Sequence, residues 1–534
     1  MKMNSLQLKE KIGQMFMGGF HGTQPSREIL TLIDEYRIGG VIYFKRNVRE
    51  PEQVCRLSAM LQKAAARSSG LPLLIAIDQE GGMVTRIEEG ITPMPGNMAL
   101  GAAGQPQYCR DAARIAGEEL RLLGINMNFA PCIDVNNNPD NPVIGVRSYG
   151  ENPELVGRMG TAAILGYQEA GVAAAAKHFP GHGDTNTDSH LDLPMIRHSM
   201  ERLHAVELVP FRQAVEAGVD AIMTAHIVFP ALEPKPIPAT LSRRVIEGLL
   251  RRTLRYEGVV VTDCLEMKAI ADKFGVEEGA VMAVEAGADI VLISHLFSRQ
   301  AAAIEAVLHA VESGRIPEAR IDESVERLLR LKRKRNMGTA VDGCAQIGGR
   351  LALPESWEVS RRITEDSITV VKDEGQLPLS VEEKTYVVWT DVAITSEVDD
   401  VLEQEMTLGT ALSPFIKTIA EDRIGLNPGA EETRKILETS RSFKQIVFVS
   451  YNAAFNPGQI RIVKELAGRK DVRLAVASTR IPYDLQHFPE VKTYIACYEN
   501  RALTIHTLAK VLMGQLEARG GLPVTISKQY PSVR

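Results

Sequence analysis

Between residues 14 and 294 the chain repeats one pattern eight times: a short apolar run, then a longer stretch with apolar residues at helical spacing. The runs are QMFMGG (14–19), GVIYF (40–44), LPLLIAI (71–77), INMNFA (125–130), GVAAAA (171–176), VDAIMTA (219–225), GVVVT (258–262) and ADIVLIS (288–294). Most are apolar on both faces, as a strand must be when each of its side chains meets another layer rather than water. The intervening stretches PELVGRMGTAAILGYQEAG and MERLHAVELVPFRQAVEAG are amphipathic, and each ends in a glycine suited to a helix C-terminus. Eight strands alternating with helices within about 300 residues predict a (β/α)8 barrel. A doubly wound open sheet competes with it, but the GxGxxG expected after the first strand of such a sheet is absent from GQMFMGGFHGTQPS.

At 534 residues the chain exceeds one ordinary core. After RLLRLKRKRNMG its texture changes, and the small, polar NMGTAVDGCAQIGGR (336–350) reads as a linker. Strand-like runs follow at 367–371, 385–389, 446–450, 473–477 and 493–497, again alternating with helical stretches. The expected division is therefore a barrel domain over 1–335, a linker over 336–350, and a smaller α/β sandwich domain over 351–534.

A formal charge of -6 spread over this length leaves no polybasic stripe, so neither nucleic acid nor an anionic membrane is expected as a partner. No apolar run approaches the roughly 18–20 residues of a membrane span. The opening MKMNSLQLKEKIGQMFMGGF lacks the continuous apolar core of a signal peptide. The six cysteines are scattered without a CxxC pair, which suggests reduced thiols in a cytosolic protein.

In barrel enzymes the chemistry sits at the C-terminal ends of the strands. Here the third run ends in DQEGG, giving Asp78 and Glu80, and the fourth leads into Asp134, with Arg147 in the loop beyond it. The fifth ends in Lys177 and His178, the sixth in His226, the seventh in Asp263 and the eighth in His295. A strand-end Asp or His can simply cap a helix or close a turn, and for Asp134, His226 and His295 taken singly that reading stays open. Charged groups directly after buried runs, as at Asp78, Lys177, His178 and Asp263, need a stronger reason.

No GxxxxGK[ST] loop and no GxSxG elbow is present. Carboxylates, histidines and two cations remain. Retaining glycoside hydrolysis needs a carboxylate nucleophile and a proton donor, and Asp263 at a strand end suits the first role. A histidine suits the second when a carboxylate stabilises its charged form, and Asp188 stands two residues before His190. The same stretch, with His178, His182, Asp184, Asp188 and His190, also reads as a zinc-type cluster, so a metal-dependent hydrolase stays open at this point.

The motifs KIGQM (11–15), DQEGGMVTRI (78–87), FAPCIDV (129–135), VIGVRSYG (143–150), KHFPGHGDTNTDSH (177–190), MTAHIVFPALEPKPIPATLS (223–242) and GVVVTDCLEM (258–267) resemble, in order and spacing, family 3 glycoside hydrolases. Within that family the likeness is to bacterial β-N-acetylglucosaminidases of the cell-wall-recycling type. A weaker resemblance continues through SITVVKDEGQLPL (367–379), RIPYDL (480–485) and GGLPVTI (520–526).

The resemblance implies a retaining exo-β-N-acetylglucosaminidase that releases non-reducing GlcNAc from muropeptides or GlcNAc–MurNAc fragments, without metal or organic cofactor. It implies Asp263 as nucleophile, His190 as acid/base and Asp188 as its partner. Asp78, Arg86, Arg147, Lys177 and His178 are implied to hold the sugar. Relatives that act on glucosides lack the D-S-H dyad, so DTNTDSH points to N-acetylhexosaminides. Gly181 and Gly183 suggest a loop that swings to deliver His190, with His182 and Asp184 structural. A phosphorylase on the same scaffold is the alternative, since a histidine acid/base avoids carboxylate–phosphate repulsion; a non-catalytic sugar-binding module is a further one. Two departures stand out. Cys264 replaces an Asp common after the nucleophile, which is read as a helix cap, and the second domain is short, which leaves its contribution to the sugar site in doubt. Exported relatives carry a signal, whereas this chain begins close to its first family motif, so a cytoplasmic location is expected.

Overall fold

All eight apolar runs form strands in the computed structural model, which describes residues 6–186, 193–338, 343–392 and 406–534. They are β1 Phe16–Gly18, β2 Gly40–Tyr43 and β3 Leu74–Ile77; then, past a small antiparallel hairpin of β4 Gln79–Gly81 and β5 Val84–Thr85, β6 Met127–Asn128, β7 Ala173–Phe179, β8 Ala221–Thr224, β9 Val259–Thr262 and β10 Val291–Ile293. The parallel neighbours run β10-β1-β2-β3-β6-β7-β8-β9. The ring closes between its ends, where the Ile290 N–H donates to the Val260 carbonyl and the Thr262 N–H to that of Ile290, both at 3.0 Å. Helices cover the outside, so the strands are buried on both faces, as their unbroken apolar character requires.

The helical stretches start and stop where their sequences dictate. Asn152 caps helix Pro153–Glu169 by accepting the N–H groups of Glu154 and Leu155. Gly171 and Gly218, at φ 82° and 71°, follow the ends of that helix and of Leu208–Glu216, turning the chain into β7 and β8.

The second α/β domain is built on β11 Thr369–Asp373, β12 Thr385–Thr390, β13 Ile419–Ile424, β14 Gln445–Ser450, β15 Arg473–Ser478 and β16 Thr493–Ala496. Their order is β11-β16-β15-β14-β12-β13, all parallel except β11 against β16. β13 was not among the runs expected from the sequence. Its residues, IAEDRI, lie half-exposed at the sheet edge, where charge guards an unpaired rim and erases the apolar signal.

Helix Pro354–Ser367 packs on barrel helices Asn97–Ala103 and Pro106–Leu122 and also on Ala502–Leu512 of the second domain. An apolar seam of Met83, Met98 and Val146 against Tyr451, Ile481 and Tyr498 continues the interface. Beside it, Arg501 donates through Nε and Nη2 to the Gly82 carbonyl (2.9 and 2.6 Å), and the Gly96 N–H donates to Glu499 (3.0 Å). The second domain thus grips the turn of the β4–β5 hairpin.

One expectation is corrected here. Cys55, on helix Pro51–Ser68, and Cys344, at the start of the turn Cys344–Arg350, form a disulfide, so the thiols are not all reduced. The linker folds back onto that helix and brings the two Cα atoms within 5.6 Å, across 289 residues of sequence that gave no sign of the pairing. Among the described residues no helix is long and apolar enough to cross a membrane.

Candidate active site

Where β3 ends, Asp78 meets the barrel mouth, and two residues on the β4 hairpin strand carries Glu80. Glu80 is the centre of a buried ion cluster. Arg147 grips it bidentately, Nε to Oε2 at 3.0 Å and Nη2 to Oε1 at 2.7 Å. Lys177, at the end of β7 and only 2% exposed, lies 2.7 Å from Glu80 Oε1 and 2.6 Å from Asp78 Oδ1. Burial alone would raise the Glu80 pKa, but the charges of Arg147 and Lys177 hold it well below the usual carboxylate range. For Lys177, burial works against the charged form, and Asp78 and Glu80 outweigh it, keeping the ammonium above its ordinary value. Arg86 completes the set with Nη2 4.0 Å from Asp78 Oδ2.

A second buried group lies alongside. The Asp134 carboxylate accepts Nδ1 of His178 at 2.7 Å, the backbone N–H of His178 at 3.2 Å and that of His182 at 2.7 Å. Burial would raise its pKa; His178 and His182 instead pull it down to about 2. An ionised Asp134 assigns the His178 proton to Nδ1 and leaves Nε2 facing Arg147 Nη2, 3.5 Å away. His182 bonds through Nδ1 to Thr185 Oγ1 at 2.9 Å, and burial pushes it down to about 4. Asp184 pairs with His198 at 2.6 Å.

Asp263 follows β9 on the other side of the barrel mouth, half-buried, and its Oδ1 accepts the Cys264 N–H at 2.7 Å. Cys264 does not cap a helix. The next one begins at Lys268 with Met267 in the cap position, and the thiol instead borders the cavity, pushed up to about 12 by burial. Glu266 accepts the N–H groups of Ser294, His295 and Leu296 at 3.0, 2.6 and 3.1 Å, tying the loops after β9 and β10 together. His226 is buried, with Nδ1 near Thr240 Oγ1 and Nε2 near the Cys264 carbonyl, which is a structural position.

Asp78, Arg86, Arg147, Lys177, His178 and Asp263 all border one cavity of about 460 Å³. Asp188 and His190 lie outside the described residues. Glu80 and Asp134 are the residues whose part sequence reasoning missed. Both stood at strand ends as charged groups, but nothing in the sequence showed that one joins two cations and the other orients a histidine.

The glycines expected to hinge this loop, Gly181 and Gly183, lie in its packed first half. Asn141 Nδ2 donates to the carbonyls of His182 and Gly183 (2.9 and 3.0 Å), and a Cβ on Gly183 would sit 1.7 Å from the Val135 carbonyl oxygen. This glycine serves close approach of two backbones, and the loop is pinned at least through Thr185, whose Oγ1 bonds the His182 carbonyl at 3.2 Å.

Two trios, Cys132–Asp134–His178 and Cys264–Glu266–His295, bring their possible ligand atoms within 4.8 Å of one another. In both, backbone N–H groups donate to the carboxylate, which ties it into the surrounding loops as a hydrogen-bonded support. A ring of charged donors and acceptors around one hollow suits a polyhydroxylated ligand, whose hydroxyls need several fixed, charge-assisted bonds.

The profile of the glycosyl hydrolase family 3 N-terminal domain matches residues 7–331. β-Hexosaminidase A of Pseudoalteromonas piscicida is 34% identical over 94% of this chain and 91% of that protein. A β-hexosaminidase of Thiobacillus denitrificans is 40% identical over 48% of this chain and 71% of its own length. Among solved structures, a glycoside hydrolase family 3 β-N-acetylglucosaminidase from Paenibacillus sp. str. FPU-7 superposes with a TM-score of 0.95 at 54% identity, covering 98% of this chain and 99% of that one.

Proposed function

The chain belongs to family 3 of the glycosyl hydrolases, and we propose that it is a retaining exo-β-N-acetylglucosaminidase. The observation that carries this reading is the single cavity that Asp263 borders together with Asp78, Lys177, Arg147 and His178. Similarity to proteins named β-hexosaminidase and β-N-acetylglucosaminidase supports the choice of sugar.

In the first step an Asp263 oxygen bonds to the anomeric carbon while the bond to the leaving oxygen breaks, and the His190 imidazolium gives that oxygen its proton. In the second, neutral His190 takes a proton from water, the water oxygen attacks the anomeric carbon, and the bond to Asp263 breaks. Asp188 stabilises the imidazolium. Arg86, with Asp78, Lys177, Arg147 and His178, binds the hydroxyls and N-acetyl group of the non-reducing GlcNAc. No metal or organic cofactor enters these steps. The substrates are muropeptides or GlcNAc–MurNAc fragments. The Cys55–Cys344 bond weighs against the cytoplasmic location expected from the sequence, because disulfides persist mainly in oxidising compartments.

The test is turnover of aryl β-GlcNAc, β-Glc and β-Xyl with and without phosphate, on wild type and Asp263→Asn. Preferential release of GlcNAc, abolished by the substitution, is expected. Full turnover by Asp263→Asn sinks the covalent route, and a sugar phosphate formed in place of free GlcNAc replaces the hydrolase by a phosphorylase.

A further inference from the structure

A second hollow, of about 670 Å³, adjoins the catalytic cavity, with Lys45 and Arg86 lining both. One of its walls belongs to the barrel and carries Lys45 and Glu88, whose charged groups are 3.2 Å apart. The other wall is Trp357 on helix Pro354–Ser367, with Arg501 and His506 of the second domain. Among the described residues none of the second domain borders the catalytic cavity, and this crevice, which shares Lys45 and Arg86 with it, is where second-domain side chains line an adjoining hollow.

Trp357 leaves 41% of its surface exposed, whereas most large apolar side chains of the chain are buried. An indole held on a helix at the wall of a hollow is a rigid flat apolar face, the surface against which the C–H face of a pyranose packs. Around it stand both cationic side chains and carboxylates. Such a lining offers hydrogen-bond donors and acceptors without a strong field, which suits a neutral hydroxylated ring better than a phosphate or a peptide of one charge. Lys177, Arg147 and His178 are buried at the inner side of the catalytic cavity. An exo-acting enzyme that takes its terminal sugar there must let the rest of the chain leave on the open side.

We propose that the crevice is the leaving-group site and that it binds the pyranose rings beyond the scissile bond, with Trp357 as the stacking face. The second domain then contributes to the choice of substrate rather than to bond cleavage. This inference rests on the glycosidase reading above.

The experiment compares wild type, Trp357→Ala and Trp357→Phe on two substrates: trifluoroethyl β-N-acetylglucosaminide, whose leaving group has no ring, and N-acetylchitotriose. Trp357→Ala is expected to lose about tenfold in kcat/KM on the trisaccharide, mainly through KM, and to stay within about twofold of wild type on the ringless substrate. Trp357→Phe should recover most of the loss. Equal losses on both substrates, or none on the trisaccharide, overturn the proposal. Should wild type cleave neither, the glycosidase reading fails by itself, and calorimetric binding of N-acetylchitotriose still decides the crevice. Binding about tenfold weaker in Trp357→Ala supports it, and unchanged or absent binding rejects it.

Discussion

Asp134 accepts Nδ1 of His178 at 2.7 Å, inside the protein, while the opposite ring nitrogen faces Arg147 at the cavity. A carboxylate so placed fixes both the tautomer and the angle of the ring that is proposed to meet the sugar.

Asp134→Asn preserves the shape and removes the charge. If its amide nitrogen faces Nδ1, the proton moves to Nε2 and the ring presents a donor where it had an acceptor. We expect kcat/KM on aryl β-GlcNAc to fall by about 10–100-fold, checked by steady-state kinetics beside circular dichroism. The group's folded pKa of about 2 lies below its ordinary 3.8, so the stability it contributes is complete above pH 4 and is lost as pH falls through 2. Acid unfolding of Asp134→Asn should be correspondingly less steep over that interval.

Glu80→Gln leaves Arg147 and Lys177 buried with half their compensation. Breaking one partner of a buried ion cluster costs about 3–5 kcal/mol, and a large fall in Tm by calorimetry is expected together with loss of turnover. A variant with wild-type Tm would show that Asp78 alone suffices for Lys177.

The barrel was legible because most of its strands are apolar on both faces, and the third to eighth lead into polar groups at the mouth. The supports of those groups were not. Glu80 lies two residues after the expected Asp78 in DQEGG, yet only folding shows that Arg147, 67 residues away, closes on it. β13 was lost for the opposite reason, an edge strand whose charges hide it. Nothing in the spacing of Cys55 and Cys344 distinguishes them from the other cysteines, because pairing across a linker is decided by where the linker folds. The place of Cys264 beside the cavity, ahead of the helix that begins at Lys268, could not be known from GVVVTDCLEM.

The cysteine pairing has a direct measure. Cys109, Cys132, Cys264 and Cys497 are the four free thiols of the fold, so titration with a thiol reagent in denaturant, without reductant, should count four. A peptide map should join the segments around Cys55 and Cys344. A count of six would return the chain to the reduced state expected from its sequence.

The last prediction concerns Lys332, which lies on helix Glu318–Lys334, far in sequence from the site, and is buried beneath the barrel's first strands. Its ammonium donates to Gln14 Oε1 at 2.7 Å and to the Gly39 carbonyl at 3.2 Å, and burial pulls its pKa down to about 7. The unfolded chain keeps this lysine near 10.5, so between about pH 7 and 10.5 it binds the proton that the folded chain has released. Stability therefore rises with pH across that interval, by at most about 1.4 kcal/mol per pH unit for one proton, and below pH 7 the cost of the buried charge is present in full. Lys332→Met removes the charge while keeping most of the stem. The difference in unfolding free energy, variant minus wild type, should be largest at or below pH 7 and shrink steadily at pH 8 and 9. Taking the difference cancels the buried tyrosines and thiols, whose raised pKa values affect both proteins alike. Urea titrations at the three pH values provide the measurement. A difference independent of pH would mean that Lys332 titrates in the folded chain as it does in water.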